Sequence, residues 1–562
     1  MPPDAPLPRR ALVALILVFA LVWFAGIGSR TLIHPDEGRY AEIPREMVVT
    51  GNWLTPRLNG LKYFEKPPLQ YWMTAVAYEA FGIAEWTARL WTALSTFGAA
   101  LFLGYAGRRL GGPTLGVYAA AVTAGSVGYI VNAHLLTLDG ALSALLAVAF
   151  GAFAIAQQPG ATPAGERRWM WVAWAAMAGA TLSKGLIGVV IPGASLVLYT
   201  LATRDFRVWR RLHLLSGAAL YLLLTAPWFV AVSRANGEFF QFFFIHEHVQ
   251  RYLTSTHNRG EPWWYFVPIF IAGMLPWLPL LAWGAIRSWR NAPPAANGFS
   301  WQRFALAWSA FVFLFFSASG SKLASYILPM FPVLCLVAAW LLHDIPARTL
   351  ARIVAPMTFV AAAALLAITF GYEPLVRRYV GDEVSRLPAL ALGPWLVAAL
   401  AVAVAGCAAA LAALYRGGAR ARTMAVLALS LSTLGATQLG IVGYDEFRTT
   451  RSSRDILRAA EAANGPFDKA APFYHLHMYD QTAPFYLGRT TTFVQYRDEF
   501  ALGQDAEPDR AFAAEPPWLD AWRGLPQAYA MMPLADYERL RGLGVPMRLL
   551  AGDPRRVVVS RR

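Results

Sequence analysis

The stretch RRALVALILVFALVWFAG, residues 9–26, decides how the rest of this chain is interpreted. Two arginines precede an apolar run of the length that crosses a ~30 Å hydrocarbon core, about 17–25 residues. Such a start also resembles a secretory signal peptide, but no small-x-small cleavage site closes the run. We therefore predict a retained first transmembrane helix whose arginines lie on the cytoplasmic side.

Further apolar segments of similar length follow. Counting the first, we predict about thirteen spans, near residues 11–28, 86–106, 113–132, 136–157, 169–183, 186–202, 212–232, 263–286, 302–318, 324–342, 352–371, 390–414 and 422–442. Alternate connections are rich in arginine, as at Arg108, Arg167, Arg207, Arg287 and Arg348. This asymmetry obeys the positive-inside rule, and the odd number of spans predicts an extracytoplasmic C-terminus.

The composition supports a membrane protein. Apolar residues make up 57% of the 562 residues, aromatic residues 14%, and the mean hydropathy is +0.40, whereas soluble domains average about 45–50% apolar residues. The net charge of +15 comes from arginines dispersed in short loops, which argues against a nucleic-acid partner. Cys335 and Cys407 both lie in apolar spans and predict neither a metal site nor a structural disulfide.

The predicted domain organisation has two parts. Residues 1–442 form the transmembrane domain, with two long outer loops at 29–85 and 233–261. The stretch 68–82 in the first loop is too short to span comfortably and predicts a helix along the membrane interface. Residues 443–562 are polar and predict a soluble α/β domain, with a capped helix in SSRDILRAAEAA (452–463) and strands in PFYHLH, TTTFVQY, QAYAMM and RRVVVS.

The other set of connections, which the topology places outside, holds charged residues of several types. The candidates are Asp36, Glu37, Lys62, Glu65, Lys66, Asp139, Lys184, His246, Glu247, Arg251 and Lys322. Charges near membrane depth are costly and usually mark a site, so we predict one polar cavity at the outer surface. A transporter or flippase would place such charges near the midplane, often with internal repeats, and this chain shows neither feature.

Several candidates could instead have purely structural roles. Asp36 and Glu37 could be first-turn acids of a helix that follows Pro35, and Asp139 could be a helix cap. Lys66 could snorkel to the membrane interface, and Arg251 could form a helical pair with Glu247. Tyr326 could anchor its helix in the aromatic belt. Lys184 interrupts an apolar stretch, where a structural role is harder to assign.

The acidic pair in HPDEGRYA (34–41) resembles the pair in the first extracytoplasmic loop of the GT-C glycosyltransferases, the superfamily of protein mannosyltransferases and aminoarabinose transferases. More specific resemblance to 4-amino-4-deoxy-L-arabinose lipid A transferases lies in YFEKPPLQYW (63–72), LTLDG (136–140), SKG (183–185), FIHEHVQRY (244–252), SKLASYILPMFP (321–332) and YDQTAPFYLGRTTTFVQYRDEF (479–500). The matches extend from residue 34 to about residue 500.

The resemblance implies a GT-C fold and a multi-pass bacterial inner-membrane enzyme whose site and C-terminal domain are periplasmic. It implies an undecaprenyl phosphate-aminoarabinose donor, a lipid A phosphate acceptor and resistance to polymyxin and cationic peptides. A bacterial protein O-mannosyltransferase, or another enzyme that uses a polyprenyl-phosphate sugar, is the alternative function. In the resembled enzymes the acidic pair is the proposed catalytic centre, so we carry this role over to Asp36, with Glu37. We also predict Asp139 as a catalytic residue of the polar site.

The chemistry assigns further roles. When the donor reacts, negative charge grows on the departing phosphate, so cations and hydrogen-bond donors there stabilise the transition state. Lys66, Arg251 and Tyr326 fit this task, and in the resembled enzymes the matching positions contact the lipid phosphate. We predict that Lys62, Lys184 and Lys322 contact the acceptor or the sugar.

The sequence also contains candidate ligands for a metal ion. His246 and His248 would point to nearly opposite faces of a helix, so they cannot chelate one ion together. His246 with Glu65 could bind a divalent ion such as Zn²⁺. We expect such an ion to be structural, and we predict that the reaction requires no cofactor.

Overall fold

The computed structural model describes residues 6–244, 261–290, 292 and 298–562. The chain divides into two compact units, and the second combines an early segment with the C-terminal region. The first unit contains Met1–Gly26, Trp91–Leu375 and Gly393–Gly443; the second contains Ile27–Leu90, Val376–Leu392 and Tyr444–Arg562.

Helices dominate the apolar part of the chain. Within residues 6–244 they are α1 (Arg9–Phe24), α2 (Asp36–Thr50), α3 (Leu69–Phe81), α4 (Glu85–Gly111), α5 (Pro113–Ala124), α6 (Val127–His134), α7 (Leu138–Ala156), α8 (Pro163–Lys184), α9 (Ile187–Thr203) and α10 (Leu214–Ala235). Later apolar helices span Phe266–Gly273, Leu278–Arg290, Trp301–Ala318, Phe331–Asp344, Ala347–Tyr379, Glu383–Arg416 and Ala421–Gly443. The chain is therefore a polytopic α-helical membrane protein.

Eight helical segments of the described chain have the length and apolarity of a membrane span, and two bent pairs raise the total to ten. The pairs are α5 with α6, bent by 60°, and Phe266–Gly273 with Leu278–Arg290, bent by 104°. The remaining three predicted segments coincide with α1, α8 and α9. Every predicted segment is thus helical, whereas the count of thirteen spans stays a prediction.

The first-loop segment packs within the second unit. It contains α2, the short antiparallel pair β1 (Arg57–Leu58) and β2 (Leu61–Lys62), and the predicted helix over 68–82, observed as α3. Gly38 permits a close approach, because a Cβ there would lie 2.5 Å from the backbone carbon of Gln481. This grouping differs from the predicted division at residue 442, because contacts distant in sequence join the loop to the C-terminal region.

The C-terminal region contains a six-stranded sheet of order β5-β4-β3-β6-β8-β7. The strands are β3 (Phe473–Leu476), β4 (Thr492–Val494), β5 (Ala511–Phe512), β6 (Tyr529–Met532), β7 (Arg548–Gly552) and β8 (Val557–Ser560). Strands β3 to β6 are mutually parallel, whereas β8 is antiparallel to β6 and β7. Helices Arg454–Asn464, Glu515–Gly524 and Leu534–Gly542 flank the sheet.

Both faces of this sheet are covered. Ala530 and Met532 of β6 join a core with Trp518 and Trp522, and Tyr529 and Met531 join a second core on the other face. Parallel strands buried on both faces read as continuous apolar runs, and the four predicted strands are observed. The sequence predicted a capped helix at 452–463, and the helix Arg454–Asn464 is observed there. The predicted cap is wrong, because Ser453 makes no side-chain hydrogen bond to the start of this helix. Its hydroxyl accepts a hydrogen bond from Thr482 instead.

Candidate active site

The acidic pair opens α2 as first-turn acids, but its two members have different environments. The helix begins at Asp36, directly after Pro35, and carries both carboxylates in its first turn, where they favour the helix dipole. The Asp36 side chain is 48% exposed, whereas that of Glu37 is only 3% exposed. Only Asp36 is therefore accessible to a substrate.

Glu37 belongs to a buried ion-pair network. Arg89 donates from Nε to Oε1 of Glu37 at 2.9 Å and from Nη2 to Oε2 at 2.8 Å. Arg30 approaches the same carboxylate at 3.6 Å, and the Ile33 backbone amide donates to it at 3.1 Å. Arg89 also donates to the carbonyl oxygens of Ile27, Arg30 and Thr31. These contacts tie the start of α2 to α4.

Asp36 is held by an arginine that links it to the C-terminal region. Arg39, one helical turn later, places Nη1 3.3 Å from Asp36 and Nη2 2.6 Å from Glu499. Glu499 in turn accepts from the Gln481 amide at 2.8 Å and from the Tyr63 hydroxyl at 3.4 Å. Burial raises the pKa of Glu499, which the charge of Arg39 opposes. Asp36, Arg39 and Glu499 thus form a row of ion pairs, and Asp36 is its solvent-accessible member.

Arg39 and Glu499 are not among the site residues predicted from the sequence. Both lie inside the quoted stretches, in HPDEGRYA and in YRDEF. An arginine three residues after an aspartate is a common helical pair, and 460 residues separate the two partners of the second contact. Spacing patterns within a helix or strand cannot predict a contact between residues so far apart in sequence.

The other first-loop candidates lie in the same unit. Lys66 donates from Nζ to the backbone oxygen of Glu65 at 2.8 Å, and its Nζ lies 3.8 Å from the Glu65 carboxylate. Both side chains are largely buried, at 14% and 16% exposure. Lys62 is the last residue of β2, and its backbone packs closely against Gly503. The turn of sequence between β2 and α3 therefore presents a cation beside a carboxylate.

A second charged cluster lies in the first unit. The Lys184 ammonium at the end of α8 donates to Oδ1 of Asp139, in the first turn of α7. The Ser325 hydroxyl donates to Oδ2 of Asp139 at 2.8 Å. The Lys184 nitrogen also lies 4.6 Å from the centre of the Tyr326 ring, a cation–π arrangement. The structure thus brings together Asp139, Lys184 and Tyr326, which the sequence predicted as site residues.

Lys322 is placed differently from these three. Its ammonium donates to the backbone oxygens of Ser319 at 2.7 Å and of Glu261 at 2.9 Å. The residue is 7% exposed. These two hydrogen bonds stabilise the backbone around Ser319 and Glu261. A role for Lys322 at the acceptor stays a prediction.

The metal hypothesis rests partly on residues outside the described chain. His246, Glu247 and Arg251 fall there, and Glu65 is described. Elsewhere in the described residues, His477, Glu515 and Asp536 place potential ligand atoms within 4.8 Å of one another. Arg539 already pairs with both of these carboxylates, which makes this group an ion-pair network.

Buried carboxylates also occupy the middle of α2. Glu42 is paired with Arg45 through two contacts of 2.6 Å. Glu46 accepts from the Gly60 amide at 2.9 Å. Burial, with the nearby charge of Glu42, raises the pKa of Glu46 to about 8. The folded chain therefore favours the protonated form of Glu46 at neutral pH.

This shift predicts a pH-dependent stability. The pKa of Glu46 rises from 4.5 to about 8 on folding, so its stabilising contribution is complete below pH ~4.5 and is lost as the pH rises towards 8. We expect Glu46→Gln to remove this dependence. Thermal unfolding of the detergent-solubilised chain between pH 5 and 9 measures it. Exposed Glu538→Gln is the control, and parallel curves for Glu46→Gln and the unmodified chain would contradict the assignment.

Family models match two parts of the chain. Residues 459–561 match the aminoarabinose transferase C-terminal domain, and residues 65–230 match the dolichyl-phosphate-mannose-protein mannosyltransferase family. An undecaprenyl phosphate-α-4-amino-4-deoxy-L-arabinose arabinosyl transferase of Erwinia tasmaniensis is 31% identical over 409 residues, 69% of this chain and 71% of the relative. The chain belongs to the aminoarabinose transferase family.

Further relatives extend the match. A transferase of the same name from Shewanella sediminis is 35% identical over 336 residues, which is 58% of each chain. The crystal structure of ArnT from Cupriavidus metallidurans bound to undecaprenyl phosphate matches with a TM-score of 0.91, at 36% identity, over 99% of both chains. Its apo structure matches with a TM-score of 0.89 over 98% of both. The GT-C fold predicted from sequence is confirmed.

Proposed function

We propose that this protein transfers 4-amino-4-deoxy-L-arabinose from undecaprenyl phosphate to phosphate groups of lipid A, and thereby confers resistance to polymyxin and cationic peptides. The observation that carries the proposal is the match over 99% of the chain to ArnT bound to undecaprenyl phosphate. The aminoarabinose transferase C-terminal domain at 459–561 favours this activity over protein O-mannosylation.

Mass spectrometry of lipid A tests this activity directly. Expression of the chain in a host that makes the lipid-linked sugar but lacks its own transferase should add aminoarabinose to lipid A phosphates and raise polymyxin resistance. Sugar found on Ser or Thr of proteins, with unmodified lipid A, would support the mannosyltransferase alternative.

We place the reaction at the periplasmic face of the inner membrane. The arginine-rich connections support this orientation through the positive-inside rule. Cysteines introduced at the exposed positions 52 and 505 should react with an impermeant reagent in intact cells, and a cysteine at the exposed position 207 should react only after permeabilisation. The opposite pattern would reverse the orientation.

In this reaction the anomeric C–O bond to the polyprenyl phosphate breaks, and a lipid A phosphate oxygen forms the new bond to that carbon. Lys66, Arg251 and Tyr326 are assigned to the departing phosphate, whose charge grows as the bond breaks. Lys62, Lys184 and Lys322 are assigned to the acceptor or the sugar, and Asp139 orients Lys184 through their ion pair.

Asp36 and Glu37 receive different roles. We assign Asp36 to stabilise positive charge that develops at the anomeric carbon and to orient neighbouring groups. Glu37 is a positioning residue, because it is buried and bonded to Arg89. Glu65 and His246 are the residues that would hold a divalent ion, and the Lys66 ammonium 3.8 Å from Glu65 competes with it. We propose that transfer proceeds without this ion; activity that is lost after chelation and restored by Zn²⁺ would contradict that.

Removing the Lys66 cation should lower transfer about ten- to hundred-fold. A charge-assisted hydrogen bond to a phosphate is typically worth ~1.5–3 kcal/mol. The assay is transfer to lipid A in membranes at matched protein levels. Lys469→Ala, which removes an exposed lysine of the same unit, is the matched control. A Lys66→Ala variant as active as Lys469→Ala would remove Lys66 from the donor site.

A further inference from the structure

A long groove runs between three helices of the first unit. Each helix contributes one face at helical spacing. The apolar lining includes Leu15 and Phe19 of α1, Leu101 of α4 and Val117 of α5, and Arg9 and Arg108 also line the groove. The cavity volume is about 710 Å³, within the ~300–1,000 Å³ of typical ligand sites.

Two sets of contacts shape the groove. At one end, the Trp23 indole donates to the Ala93 oxygen at 3.1 Å and ties α1 to α4. Along the floor, α4 and α5 touch through small residues: a Cβ on Gly116 would lie 2.7 Å from the Gly104 oxygen, and one on Gly104 would lie 2.9 Å from the Ala120 Cβ. The third wall is α1, so the groove is defined by packed helices.

The charged lining residues lie at the end of the groove opposite the Trp23–Ala93 contact. Arg9 begins α1 and Arg108 lies in the last turn of α4, and both are exposed. Among the described lining residues there are these two cations and no carboxylate. From Phe97 to Arg108 the helix rises roughly 16 Å, at about 1.5 Å per residue. That length equals about half of a ~30 Å hydrocarbon core, the depth of one leaflet.

We propose that this groove binds one anionic glycerophospholipid, with its phosphate between Arg9 and Arg108 and one acyl chain along the apolar faces. Basic pockets between transmembrane helices are a recurrent way to hold anionic head groups. The cations select a negative head group, and the apolar wall removes the chain from neighbouring lipids. Lys66 and Tyr326, which are assigned to the departing phosphate, do not line this groove, so the site is distinct from the proposed donor site.

Native mass spectrometry of the purified full chain tests the site, with phosphatidylglycerol and phosphatidylcholine as probes and inorganic phosphate as competitor. We expect one phosphatidylglycerol retained in preference to phosphatidylcholine, and no displacement by phosphate. Arg9→Gln with Arg108→Gln should weaken retention about twenty- to thirty-fold, because each cation near an anionic lipid contributes roughly a factor of five. Leu101→Trp should weaken it by filling the groove with both arginines present.

The control is Arg287→Gln with Arg290→Gln, which removes two arginines from the last turn of another apolar helix. Equal losses in the control and test variants would overturn the site, as would equal retention of both lipids. Preferential retention of undecaprenyl phosphate, or a dimer that forms in place of a lipid complex, would also overturn it. Should the double arginine variant fail to fold, Leu101→Trp and the comparison of lipids on the unmodified chain decide the question.

Discussion

Asp36→Asn is expected to lower the rate of transfer roughly 100- to 1,000-fold while the protein remains abundant. Removing one preorganised electrostatic group from a transition state typically has an effect of this size. The carboxylate is accessible and its position is set by Arg39, so the amide keeps the shape and removes the charge that would stabilise the anomeric carbon. Initial rates in membranes, compared at matched protein levels, measure the loss.

The pH dependence of the same variant separates two roles for Asp36. A phosphate acceptor has a second pKa of ~6 and is largely ionised near neutral pH, so it needs no general base. We therefore expect the rates of Asp36→Asn and of the unmodified enzyme to rise together along the phosphate titration. A rate that follows a carboxylate pKa in the unmodified enzyme, with that dependence lost in Asp36→Asn, would assign proton abstraction to Asp36.

A companion variant tests the contact that runs from Asp36 through Arg39 to Glu499. In Glu499→Gln, Arg39 loses the partner at 2.6 Å and keeps Asp36 at 3.3 Å. We expect a smaller loss in kcat than for Asp36→Asn, with little change in the KM for the donor. A change confined to KM would place Glu499 in substrate binding and not in positioning Asp36.

The sequence predicted the helical segments well because membrane spans follow from apolar length alone. It also predicted the lysines that the structure places in charged clusters. Lysine occurs at only five positions, 62, 66, 184, 322 and 469, and four of these were selected as candidates from their location near the membrane. Because arginine supplies most of the positive charge in the connecting loops, a lysine within an apolar stretch indicates a candidate site residue.

What the sequence could not supply was partner choice across long separations. Asp36 and Glu37 are adjacent carboxylates, and the sequence does not show which of them is paired. The structure shows that Arg89 forms an ion pair with Glu37. Two strands of the soluble domain also escaped prediction, because Ala511–Phe512 has two residues and Arg548–Gly552 is largely exposed along its length. Both are edge strands of the sheet, where the apolar pattern is weakest.

Arg89→Ala is expected to destabilise the folded protein by ~3–5 kcal/mol, the usual result of removing one partner of a buried ion pair. The guanidinium is fully buried and bonds both oxygens of Glu37 and three backbone carbonyl groups. Its loss leaves the Glu37 carboxylate buried, with Arg30 at 3.6 Å as its remaining cation. Thermal unfolding in detergent and protein abundance in membranes measure the effect.

The control is Arg523→Ala, which removes an exposed arginine from a 4.0 Å surface pair of the same unit. This variant should change the free energy of unfolding by less than ~0.5 kcal/mol.

Variants of Glu37 show whether this residue is positional or catalytic. If Glu37 positions α2, Glu37→Gln should lower stability together with activity, and the double variant with Arg89→Met should recover part of the stability, because both buried charges are then gone. A Glu37→Gln variant that is fully stable but inactive would instead support the catalytic role that the sequence predicted.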